Sequence, residues 1–110
     1  MFKKNEVVLQ RSTSKKGSIT VTAKIIDSGD LRIDGHDLTS QGKNLFGTTE
    51  VEWIIIVTAN HIPAFQSALE SEAPILTSLK TRFSDQNTAK IKPFLDEQGI
   101  PYKFSNRIGD

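Results

Sequence analysis

The densest run of groups that could do chemistry is Asp34-Gly35-His36-Asp37. In an extended chain, Asp34 and His36 lie two apart and share a face. An imidazole beside a carboxylate can move protons. The same pair could hold a metal if Glu50 or Glu52 supplied a third ligand. No HExxH, EF-hand or paired ligand spacing accompanies it, so neither a metal nor a cofactor is expected. His61 lies beside Asn60 at an expected helix start, which suits a structural role. The seven glycines are scattered, with no phosphate-cradling or nucleophile-elbow pattern. The absence of cysteine removes disulfides, thiolate zinc sites and cysteine nucleophiles together.

Glu50 and Glu52 share one face of an apolar segment, and Ile54 and Ile56 continue that face. Like charges placed there face solvent or a basic partner. An acidic patch beside exposed apolar side chains makes a protein-binding surface, steered by charge and held by apolar contact. The alternative is that a loop or helix of the same chain covers Ile54 and Ile56.

Charge is unevenly spread although the net is only +1. Residues 1–25 hold six basic and one acidic side chain, residues 26–75 two and eight, and residues 76–110 six and four. The acidic middle contains Asp34, Asp37, Glu50 and Glu52. A nucleic-acid binder shows a dominant basic face. The basic start, with Lys3, Lys4, Lys15 and Lys16, is the one segment of that kind and reads first as a solvated end. Nucleic acid is therefore not the expected partner.

These groups need a scaffold. The chain has 110 residues, 36% hydrophobic and 25% charged, which suits one globular domain over 1–110 and excludes a disordered charged tail. No apolar run, Ile54 to Val57 included, approaches the roughly 20 residues that span a bilayer. Met1 to Glu6 has no apolar core of a secretory signal, so a cytoplasmic protein is expected.

Val7, Leu9 and Arg11 alternate with Val8 and Gln10 as a short strand. Ile19, Val21, Ala23 and Ile25 alternate with Thr20, Thr22 and Lys24. A turn at Asp27-Ser28-Gly29-Asp30 leads into Leu31, Ile33 and Gly35, so residues 18–36 form a hairpin. Asp37 to Thr49, with Gly42 and Gly47, is expected to be a loop, and Glu50 to Ala59 the strongest strand. Its Val51, Trp53, Ile55 and Val57 face one way, and apolar residues on both faces predict cover on both sides. The period then becomes helical. Asn60 is suited to cap a helix with Pro63 in its first turn, and Pro74 starts a second helix. Pro93 is expected to interrupt a third helix that Gly99 closes. Pro101 to Asn106 is the last strand. The fold class is α+β: an antiparallel four- to five-stranded sheet with two or three helices packed on one face.

The segment Gly29-Asp30-Leu31-Arg32-Ile33-Asp34-Gly35-His36-Asp37-Leu38, followed by Gly47, Glu50, Glu52 and Trp53, resembles a pattern of small bacterial proteins encoded beside polymorphic toxins. That pattern runs G-x-L-x-I-x-G-x-D-L, a glycine-containing loop, then E-x-E-[YW]. Phe94 to Phe104 is similar to the same proteins' terminal F-L-x-x-x-G-I-P-x-x-F. Together the matches span about half the chain, and Thr39 stands where the pattern commonly has glycine. The resemblance implies an immunity protein of the contact-dependent growth inhibition kind. Such a protein binds and blocks its sibling toxin's C-terminal domain, often a nuclease with a basic active site, and is not an enzyme. The toxin-binding candidates are then Asp34, His36, Asp37, Glu50 and Glu52. The competing readings are a small hydrolase using His36 with neighbouring carboxylates, and a nucleic-acid binder using the basic arm.

Overall fold

A computed structural model describes residues 5–15, 17–40 and 48–109. Lys3, Lys4, Lys16, Gly42 and Gly47 lie outside the described residues. The strands are β1 (Glu6–Ser14), β2 (Gly17–Ile25), β3 (Leu31–Ser40), β4 (Thr48–Val57) and β5 (Lys103–Gly109). Between β4 and β5 lie α1 (Ile62–Ala68), α2 (Ile75–Arg82) and α3 (Ile91–Gln98), with short 3₁₀ segments at Ala59–His61 and Asp85–Lys90. The five strands pair antiparallel in chain order, so all helices belong to one excursion between neighbouring strands. This is the expected α+β architecture.

The core lies on one side of the sheet. Val21, Ala23, Leu31, Ile33, Ile55 and Val57 meet Phe65, Leu69, Leu76, Leu79, Phe83, Ile91 and Leu95 there. Strand alternation supplies one face, and the helical stripes cover it. Trp53 is half-buried at the edge of this core. Its indole lies across Gly35, its direct partner on β3. A Cβ at Gly35 would sit 1.9 Å from Trp53 Cε2, so the ring occupies the space that a side chain would need.

Several local expectations shift for identifiable reasons. In β1 the register slips between Val8 and Gln10, so Leu9 and Gln10 are both buried and the simple alternation through Arg11 fails. Lys80 Nζ donates to the Val8 carbonyl at this bulge, 2.5 Å away. β3 continues to Ser40 and β4 begins at Thr48, shortening the expected loop from both ends. Asn60 lies inside the 3₁₀ turn rather than capping α1, while Pro63 falls at the start of α1 as expected. Pro93 falls in the first turn of α3, where its missing N–H interrupts nothing. Gly99 closes α3 at φ 67°, and β5 begins two residues after Pro101.

Two polar clusters, the first buried and the second part-buried, fasten the helical layer. Thr88 Oγ1 donates to Gln10 Oε1 at 2.6 Å, tying the segment before α3 to β1. Ser78 Oγ donates to Ser71 Oγ at 2.8 Å, and Gln66 Nε2 donates to the Ser71 carbonyl at 2.6 Å. At the far end of the hairpin, Asp30 Oδ1 accepts from the Ala59 amide at 2.8 Å and fixes the exit of β4. Among the described residues no helix is long and apolar enough to cross a membrane.

Candidate interaction face

The face of the sheet turned away from the helices carries the candidate residues. One residue out of phase with the core positions stand Arg32, Asp34 and His36 on β3 and Glu50, Glu52, Ile54 and Ile56 on β4. Lys103, Ser105 and Arg107 of β5 extend the row. None of these side chains belongs to the core. Ile54 and Ile56 are half-buried, and among the described residues no helix covers this side of β4, where cover on both sides was expected. All the helical apolar stripes are committed to the other face.

Register explains which groups meet. His36 is directly opposite Glu52, and Glu50 lies two residues along the same face. His36 Nε2 and Glu50 Oε2 are 2.5 Å apart, with side chains 44% and 37% exposed. On the other flank Glu52 is opposite Arg107, whose Nη2 donates to both carboxylate oxygens at 3.2 Å. Further along, Arg32 Nε donates to Asp34 Oδ1 at 3.0 Å and to Oδ2 at 3.1 Å. Beside Ile54, a shallow hollow of about 320 Å³ is lined by Glu52, Ser105, Asn106 and Arg107.

Of the five sequence candidates, Asp34, His36, Glu50 and Glu52 share this face. Asp37 does not. It pairs with Ile19 and Val51 on the opposite face, where it borders a separate hollow with Ser12, Thr13 and Ser18. The alternation that joins Asp34 to His36 places Asp37 behind the sheet. Lys15, the described lysine of the basic arm, lies exposed in the turn between β1 and β2.

The acidic middle of the sequence does not become an acidic patch. Strands β3 and β4 sit between β2 and β5, and the latter's Arg107 neutralises Glu52. Arg107 was not singled out in the sequence, because its role depends on β5 pairing with β4 across 55 residues. Arg32 was not singled out either, although it precedes Asp34 by two within one strand. Away from this face, the Tyr102 hydroxyl, followed by the Asp96 carboxylate, holds the Lys92 ammonium above its ordinary pKa. No family model matches the chain, no curated protein matches it and no solved structure matches it.

Proposed function

We propose that the chain is a cytoplasmic immunity protein. Its open sheet face docks on the toxin domain encoded beside it and occludes that domain's active site. The observation that carries the reading is a sheet face that no described helix covers: Ile54 and Ile56 are half-buried on it, among Arg32, Asp34, His36, Glu50, Glu52 and Arg107. Interfaces between soluble proteins combine an apolar centre with a polar rim in this way. The family resemblance supplies the kind of partner, a toxin's C-terminal domain, with a basic nuclease as its leading chemistry.

The pairing on the face modifies how charge acts. Arg107 is 76% exposed and can turn away from Glu52 when a partner's cation approaches. The carboxylates then exchange one cation for another, which favours register and association rate over raw affinity. Calorimetric titration of the purified toxin domain with wild type and the Glu50→Ala, Glu52→Ala double variant tests this. Weaker binding by the double variant, with an unchanged unfolding midpoint, agrees with the reading. Unchanged affinity with the fold intact removes both glutamates from the interface. A neighbouring gene with no toxin domain removes the partner.

A further inference from the structure

We propose that His36, Glu50 and Glu52 together bind one first-row divalent cation, with zinc as the probe. The inference goes beyond partner docking and does not depend on it. One nitrogen of His36 and one carboxylate oxygen from each glutamate all lie within 4.8 Å of one another. A tetrahedral zinc with bonds of about 2.0–2.2 Å holds its ligands roughly 3.4 Å apart. Small side-chain rotations therefore bring the three groups onto one ion.

The donor set and its support both fit. One imidazole and two carboxylates form a three-ligand protein set that leaves a coordination position free. Nitrogen from an imidazole favours zinc and its first-row neighbours, whereas magnesium and calcium favour sets built from oxygen. The ligands stand on adjacent paired strands, with His36 directly across from Glu52. The Trp53 ring packed on Gly35 behind them holds that register. Two like charges two residues apart on one strand gain by sharing a cation. The His36–Glu50 separation of 2.5 Å is shorter than two ligand atoms on one ion permit, so the ion replaces that contact. Among the described residues, Arg107 competes for the Glu52 carboxylate.

Titration calorimetry of metal-free full-length protein with zinc chloride, without any partner, tests the proposal. A single saturable site is expected. His36→Ala and Glu50→Gln should each weaken zinc by at least about 10-fold, since even residues that only orient metal ligands have effects of that size. Arg107→Gln should tighten it by freeing Glu52, a change that a merely structural role would not produce. In NMR spectra, zinc should shift the His36 ring signals and leave those of His61 in place. The metal-free unfolding midpoints of the variants establish that each is folded. Absence of saturable zinc binding overturns the proposal. So does equal affinity in folded His36→Ala and Glu50→Gln, which assigns the zinc to other groups. Equal binding of magnesium overturns the first-row assignment.

Discussion

The two faces of the sheet are made by the same strands, one residue out of phase, and they have opposite characters. On the covered face Val21, Ala23, Leu31, Ile33, Ile55 and Val57 are between 0% and 1% exposed. On the open face Arg32, Asp34, His36, Glu50, Glu52 and Arg107 form a cross-strand set of charged and polar groups around Ile54 and Ile56. Because side chains alternate along a strand, the fold separates stability from recognition by a single residue of phase. Substitutions on the first face should unfold the molecule, and substitutions on the second should leave it folded and change what it binds.

The largest expected effect is in the helical layer and on the covered face. Phe65→Ala should cost about 3–5 kcal/mol and Ile55→Ala about 2–5 kcal/mol, through lost burial and the cavity left behind. Ile54→Ala, on the open face of the same strand, should cost less than about 1 kcal/mol. Urea unfolding of the three variants makes the comparison. Equal costs for Ile54 and Ile55 would mean that something covers both faces.

Gly35→Ala sharpens the same contrast. The new methyl group must displace the Trp53 ring, and such overpacking should cost about 1–3 kcal/mol. Trp53 is the single tryptophan, so its fluorescence should shift with the displacement. Trp53→Leu in the same chain should recover part of the loss. An unshifted emission spectrum with wild-type stability would show that the ring does not rest on Gly35.

Thr88→Val removes the donor to Gln10 Oε1 and leaves that buried acceptor without its donor. The expected cost is about 1–3 kcal/mol by chemical unfolding. At the bottom of the scale, Arg32→Ala breaks a part-exposed ion pair between neighbours on one strand face and should cost less than about 1 kcal/mol, falling further as salt is added.

The covered face was the legible half. The alternation at Ile19 to Ile25 and Val51 to Val57, and the change to a helical period after the strongest strand, depend on local spacing, and local spacing is written in the chain. The β1 bulge was not legible, since Leu9 and Gln10 are buried together only because β2 fixes the register on both sides of the slip. Pro93 was placed wrongly because a proline looks alike inside a helix and in its first turn until the start at Ile91 is known.

On the open face, Asp34, His36, Glu50 and Glu52 could be grouped from sequence because β3 and β4 are neighbours in the chain. Asp37 went astray through being counted with a loop when the strand continues through it. The neutralising partner Arg107 was out of reach, because the pairing of β4 with β5 is decided by how the helical excursion returns.

The most direct test of the open face as the binding surface is a pair of charge insertions titrated against the neighbouring toxin domain. Ile54→Arg places a cation at the centre of the open face. Thr77→Arg places the same group on an exposed position of α2, behind the covered face. With both proteins folded, Ile54→Arg should weaken binding by roughly 30-fold or more, the scale of a hot spot worth at least about 2 kcal/mol. Thr77→Arg should stay within about twofold of wild type. Wild-type affinity for Ile54→Arg together with a large loss for Thr77→Arg would move the interface to the helical side and contradict the account.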